Sequence, residues 1–449
     1  MSEPRPIAFR AKGFHQRLLD WISGKGAAAT SIPLLIDSTA RFLNREGFAI
    51  RRCNLATETI HPLMANSRHI WFDHATEPSA VNPAIVIERR QYHLGPAMID
   101  ELFANSTAQQ NPQYLASPFA HVDRGSDLYE SIGPVDETQR FPVFEDLAAL
   151  GCTAYYAAKL NSFAGLMQKL GLATERPGGF SERQLAALRS TVSLLTLHLN
   201  TVVESDTKRT LARVYVGDDP GRRVCAGMIT RGEVVALDAA IWFSDLRGFT
   251  AWSEGLPPEQ AIERLNAYFE IIAKPIYESG GEILKYIGDA IFAVFPVGSE
   301  GGRKAACAAA IRALSGAQAG LADLNREYEA RGEKGFAHGV GLHVGSVGYG
   351  NIGSRERLDF TVIGDAVNLT SRIEGVCKEA GVTALCSSEF AQMVAPASKP
   401  VGEFTVKGFS GKVSLHVPPR LRCSRLMDFA ALRRGLGGES EAGFGLRTV

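Results

Sequence analysis

Apolar residues recur at helical spacing twice near the start of the chain, in "FHQRLLDWISGKG" (14–26) and "SIPLLIDSTARFLNREG" (31–47). The segments "FAIRRCNLA", "AIVIERRQYHLG" and "CTAYYAAKL" that follow are β-like instead. A helix, then strands with variable loops, then a closing helix predicts a small α/β sensor module over residues 1–180. The closing helix is marked by "GGFSERQLAAL", where Ser181 is the expected N-cap and Gln184 completes a capping box. From there Leu185, Leu188, Val192, Leu195, Leu199 and Val202 alternate at spacings of 3 and 4. That pattern fits a helix packed on its own domain, as the off-seam Leu194 and Leu197 suggest. It also fits a parallel dimer seam, which the unbroken alternation favours. Residues 181–216 are therefore expected to be a signalling helix or coiled coil.

The stretch 217–234, "GDDPGRRVCAGMITRGEV", is rich in Gly and charge and is expected to be a linker of limited regularity. Residues 235–418 read as a second domain, and 419–449 as a tail that begins after Pro-Pro and ends Gly-rich. A buried strand opens the second domain in "LDAAIWFSDLRGFT" (237–250), and a helix follows over "PPEQAIERLNAYFEIIAKPIYESG". Next comes "EILKYIGDAIFAVF" (282–295), two apolar strands broken at an Ile-Gly-Asp-Ala turn, with Ile283, Ile287, Ile291 and Phe295 as expected sheet core. Lys285 and Asp289 are out of place in such a hairpin unless they do chemistry.

Strand, crossover helix and strand pack side by side. The hairpin tip is thereby expected beside the end of the first strand, with Asp245 facing Asp289. Two carboxylates that close repel unless a cation neutralises them. A carboxylate at a strand end followed by a Gly turn suits a hard divalent metal, and the turn's N–H groups suit phosphate.

With 449 residues the chain is long enough for two hydrophobic cores. Its 48 basic and 48 acidic residues cancel, which gives no case for nucleic acid or an anionic membrane as partner. The N-terminus has charge but no apolar h-region, and no apolar run is long enough for a membrane span. Seven scattered cysteines with no C-x-x-C pair are expected to be idle thiols in a reducing cytoplasm. His61, His69 and His74 lack metal-ligand spacing.

Five motifs occur in order: "FSDLRGFT", "GGEILKYIGDAIFAVF", "GVGLHVGSVGYGNIG", "DFTVIGDAVNLTSRIE" and "FTVKGF". Over residues 235–418 the chain resembles the class III nucleotidyl cyclases. The N-terminal order of elements is similar to a GAF domain. "GGEIL" departs from the diguanylate-cyclase signature, because Ile283 replaces the acidic residue.

The cyclase resemblance implies an α/β (α+β) fold with a ferredoxin-like, palm-type βαββαβ core. It implies a homodimer with shared active sites, ATP as substrate, and two Mg²⁺ or Mn²⁺ ions per site. Asp245, Asp289 and the Leu246 carbonyl match the metal ligands, and Gly248, Phe249 and Thr250 lie in the adjoining phosphate turn. Lys285 and Thr361 match the purine contacts, with Thr361 resembling the subclass that has Thr in place of Asp. Asn368 and Arg372 match the catalytic pair, and Lys407 a triphosphate-binding lysine. Lys285 donates only, which suits adenine N1 and opposes the N1–H of guanine. The rivals are a guanylate cyclase and a catalytically silent scaffold. A small-molecule ligand for residues 1–180 is also expected, of unknown identity.

Overall fold

The computed structural model describes residues 8–26, 28–58, 64–73, 86–92, 97–104, 112–134, 139–160, 167–249, 253–394, 398–406, 408–409 and 411–419. The chain divides into two compact units, with the boundary after Thr210.

In the first unit α1 (Phe14–Trp21) and α2 (Ile32–Arg45) precede strands β1 (Ile50–Glu58), β2 (Met64–Phe72), β3 (Val86–Tyr92) and β4 (Ala97–Ala104). Short helices α3 (Pro112–Leu115) and α4 (Pro118–Val122) follow, then β5 (Leu128–Ser131), α5 (Pro142–Ala149), β6 (Ala154–Leu160) and β7 (Gln168–Thr174). The seven strands form one antiparallel sheet in the order β3-β4-β2-β1-β7-β6-β5. Residues of alternate parity on β1 serve different cores. Cys53 and Leu55 join α1, α2 and the closing helix in one apolar cluster, while the opposite face carries a second cluster with Phe144 and Leu147 of α5.

The closing helix α6 runs unbroken over Glu182–Val216. Gln184 accepts from the Ser181 backbone N–H at 3.1 Å, which is the back-reaching half of the expected capping box. The seam Leu185, Leu188, Val192, Leu195, Leu199 and Val202 is buried in the unit's own core, with Leu188 and Leu199 wholly enclosed. This corrects the expectation of a dimer seam over these residues. The sheet, α1 and α2 already cover the stripe, so none of it is free to pair with a second chain.

The second unit begins with a further correction. The expected linker contains a helix, α7 (Asp218–Cys225). Its Asp219 N–H donates to Glu282 at 2.9 Å, and its Asp219 carboxylate accepts from the Tyr349 hydroxyl at 2.9 Å. Arg223 lies over the Tyr349 ring at 5.3 Å, so α7 is a packed element and not a tether.

The remaining elements are β8 (Val234–Leu246), α8 (Pro258–Glu278), β9 (Glu282–Ile287), β10 (Ala290–Pro296), α9 (Gly302–Ala330) and β11 (His338–Gly353). After them come β12 (Leu358–Ile363), α10 (Asp365–Val376), β13 (Ala384–Ser387), α11 (Ser388–Val394), β14 (Lys399–Thr405) and β15 (Lys412–Val417). The sheet order is β14-β15-β13-β11-β8-β10-β9, with β12 paired to β11. Its centre, β11-β8-β10-β9, is the strand order of a βαββαβ ferredoxin-like core, as expected. Trp242, Ile291 and Phe295 are buried with Ile276 and Ile311 between the sheet and α8 and α9. Among the described residues no helix is long and apolar enough to cross a membrane. The described cysteines are all free, and only Cys225 is exposed.

Candidate active site

Strand β8 carries Asp245 one residue from its end, paired with Gly339 of β11 on one side of the sheet. On the other side Ser244 pairs with Ile291, so the β9–β10 turn hangs over the same end of β8. That turn is Gly288-Asp289, and Gly288 has φ +63°, a left-handed backbone that glycine adopts without strain. Asp245 and Asp289 meet there. Burial, followed by the charge of Asp289, lifts Asp245 to about 6. The Leu246 backbone N–H opposes this by donating to Asp245.

A test of fit for a cation is the state of the carboxylate oxygens. Asp245 Oδ1 is buried and has no hydrogen-bond partner. An orphan carboxylate oxygen beside a second carboxylate is costly without a positive charge, so the pair fits a divalent metal. Leu246 is adjacent and buried, its carbonyl being the third expected ligand. Among the described residues no three His, Cys, Asp or Glu side chains gather as a metal nest, so two aspartates are the side-chain donors available.

Glu374 escaped the reading of the sequence. It projects from α10 toward the aspartate pair. Burial, then Asp245, raises it to about 7, with Arg247 opposing and Asp289 adding. Its position follows from a glycine stripe on β11. A Cβ at Gly339 would collide with the Glu374 carboxylate, one at Gly341 would stand 2.6 Å from the Glu374 nitrogen, and one at Gly345 would stand 3.0 Å from Ala366 Cβ. The alternating glycines of "HGVGLHVG" were the available signal. They let α10 lie with its backbone against the strand.

Asn368 and Arg372 are one turn apart on α10 and both exposed. Glu374 follows Arg372 by two residues, about 200° further round the helix. In a single chain, therefore, the Asn368–Arg372 face and the aspartate-facing side of α10 point in different directions. Asp365 is the first helical residue and not the cap, a place that Gly364 takes.

Lys285 is exposed and ion-paired to Asp359 of β12. Asp359 and Thr361 lie two apart on β12 and share a face, so the pair brings Lys285 to the strand that carries Thr361. The expectation that Ile287 belongs to the core is corrected. Ile287 is 49% exposed, whereas Ile283, Ile291 and Phe295 are buried. A register shift between Phe292 and Ala293 buries the consecutive Ile283 and Leu284, and edge strand β9 then turns Lys285 to Ile287 outward.

Gly248 has φ +70° and open space around it, and Phe249 packs partly against the unit's core. Thr250 and Lys407 fall outside the described residues.

Residues 236–417 match the family model described as Adenylate and Guanylate cyclase catalytic domain. Over 149 residues the chain is 42% identical to Adenylate cyclase of Anabaena cylindrica, covering 32% of this chain and 28% of that protein. It is 31% identical over 190 residues to Adenylate cyclase 1 of Rhizobium meliloti (strain 1021), covering 41% and 27% respectively. The chain thus spans under a third of the length of these curated relatives. Among solved structures, the adenylyl cyclase CyaB from P. aeruginosa is similar at 29% identity and a TM-score of 0.38, over 42% of this chain and 98% of that one.

Proposed function

We propose, from the premise that residues 236–417 are an adenylate and guanylate cyclase catalytic domain of the class III family, that this protein converts ATP to 3′,5′-cyclic AMP and pyrophosphate. The observation that carries the reading is the meeting of Asp245 with Asp289 around a buried, unpartnered carboxylate oxygen.

In the reaction the ribose 3′-oxygen attacks the α-phosphorus, the 3′-hydroxyl loses its proton, and the bond to the β-phosphate oxygen breaks as pyrophosphate leaves. Asp245, Asp289 and the Leu246 carbonyl would hold two Mg²⁺ or Mn²⁺ ions. Bound there, such ions supply the Lewis acidity that makes the 3′-hydroxyl a nucleophile and neutralises the leaving group. The backbone N–H groups of Gly248, Phe249 and Thr250 would meet phosphate oxygens. Arg372 neutralises charge on the pentavalent phosphorus, and Asn368 orients the ribose. Lys407 binds the triphosphate. Removal of a group such as Arg372 costs about 10²–10³ in rate in comparable sites.

Lys285 favours adenine, since an ammonium only donates and adenine N1 only accepts. Thr361 accepts from N6 or donates to O6, so the choice of base rests on Lys285. Because Asn368 and Arg372 face away from the chain's own aspartates, each site takes its metal ligands from one chain and Lys285, Thr361, Asn368, Arg372 and Lys407 from a second, in a cytoplasmic homodimer. Residues 1–180 act as the regulatory input. Helix α7, seated on Glu282 three residues before Lys285, is the element through which that input reaches the base-reading strand.

Purified full-length protein with Mn²⁺ or Mg²⁺ tests this. Cyclic AMP and pyrophosphate from ATP, exceeding cyclic GMP from GTP, is the expected result. Greater GTP turnover supports the guanylate reading, and no metal-dependent pyrophosphate release from either nucleotide supports the silent scaffold.

A further inference from the structure

The N-terminal sheet hides a charge it does not balance. Arg52 on β1 is 8% exposed, and its Nη1 has no hydrogen-bond partner. Asn54, two residues on and so on the same face, is 6% exposed with an unpartnered Oδ1. The strand register sets Arg52 opposite Ala173 and Asn54 opposite Gly171, both on β7. Tyr155 of β6, itself buried, pairs with Ala173, and its ring lies over Gly171, so that a Cβ there would stand 2.7 Å from Cζ. The absence of a side chain at 171 thus brings a phenolic hydroxyl alongside Asn54. Helix α5 covers this face with Phe144 and Leu147.

The local charges make the arrangement unfavourable as it stands. A guanidinium cannot shed its proton to escape burial. Desolvation is the largest influence on Arg52, and Arg68 adds a second positive charge. Among the described residues the one carboxylate acting on it is Asp146 of α5, the weakest of the influences. Phe72 offers its ring at 5.9 Å, a contact worth far less than a bidentate anion. Burial of a charge without full compensation is costly, and a ligand of opposite charge restores the balance.

We propose that Arg52, Asn54 and Tyr155 form the floor of a binding site for a small oxyanion, the carboxylate or phosphate group of a low-molecular-weight molecule, on the α5-covered face of the N-terminal sheet. Arg52 supplies the charge and its unpartnered Nη1 as donor, and the Asn54 Nδ2 and the Tyr155 hydroxyl donate single hydrogen bonds at its side, while Asn54 Oδ1, an acceptor, takes no part in holding the anion. The site is independent of the catalytic reading, since none of its residues belongs to the second unit.

The experiment is titration calorimetry of the full chain with inorganic phosphate and with acetate, chloride serving as the control at matched ionic strength. One of the two oxyanions binds with one site per chain and chloride does not. Arg52→Met, which keeps length and loses charge, weakens that binding at least ten-fold while the metal-free, anion-free chain melts no lower than the parent. Arg52→Lys, which keeps charge without the guanidinium, weakens it less. Phosphate against acetate separates the two sources of the oxyanion. The proposal is overturned if the parent binds neither, or if Arg52→Met binds as tightly as the parent. It is equally overturned if Arg52→Met unfolds the first unit and Arg52→Lys binds like the parent, because the guanidinium then serves the fold alone.

Discussion

Glu374 on α10 lies across Gly339 of β11, the residue that pairs with Asp245. A helix carboxylate is thereby held near Asp245 at the end of β8 and Asp289 in the β9–β10 turn. The contact is possible only because position 339 has no side chain. Gly341→Ala, two residues on, must displace the α10 backbone, since its Cβ would stand 2.6 Å from the Glu374 nitrogen, at a cost of about 1–3 kcal/mol for overpacking. Glu374→Gln, in contrast, removes repulsion and is expected to stabilise the metal-free protein. Urea unfolding in EDTA checks both, and a Gly341→Ala midpoint equal to the parent's would contradict the packing argument.

Asp245 is raised to about 6 and Glu374 to about 7, from ordinary values of 3.8 and 4.5, mainly by burial. Both therefore hold protons more tightly folded than unfolded. Between about pH 4 and 7 the folded state binds the extra protons, so metal-free stability is highest at the acid end and falls as pH rises. Metal binding requires the ionised form, so affinity for Mg²⁺ or Mn²⁺ rises over the same window. Denaturant midpoints at pH 5 and pH 7.5 in EDTA should show the decline, and Asp245→Asn should flatten it. A parent-like slope in Asp245→Asn would count against the assignment.

Lys285 and Asp359 form an ion pair between β9 and β12. The pair is partly exposed, so its worth to stability is about 0–1 kcal/mol. Its value lies in aim. Lys285→Ala is expected to lower kcat/KM for ATP by about 10–100-fold, the size of one lost charged hydrogen bond, with a smaller change for GTP. Asp359→Asn releases the lysine and should narrow the ATP-to-GTP ratio without lowering Tm. Equal losses for both nucleotides in either variant would contradict a base-reading role.

Leu188 and Leu195 are buried in the first unit's own core. Introducing Glu at both therefore disrupts that unit, at a cost beyond about 4 kcal/mol, and does more than split a dimer. Limited proteolysis should cut the first unit of the double variant readily. A protease-resistant monomer would show instead that the stripe faces a second chain.

The heptad pattern of α6 illustrates what a sequence leaves open. An a/d stripe records that one face is apolar, not what covers it, and here the chain's own sheet does. The helix α7 was hidden because Pro220 and Gly221 sit inside it. Pro220 falls in the first turn, where its missing N–H is harmless, and Gly221 permits close approach to Ala212. The meeting of Asp245 and Asp289 was legible because a strand end and a hairpin tip announce themselves by local pattern, although β10, and not the crossover strand β9, is the one that pairs with β8. Ile287 misled because a one-residue bulge reverses the face of everything beyond it. Glu374 was missed because its significance depends on glycines some thirty residues earlier in the chain.

The most direct test of the central claim is complementation between two inactive chains, Asp289→Ala and Arg372→Ala. If the aspartates and the arginine of one site come from different chains, a mixed dimer keeps one intact site of two. Random pairing at equal amounts then restores about a quarter of the parent's cyclic AMP formation, as dimer symmetry requires. Mixtures that stay as inactive as each variant alone would contradict the shared site.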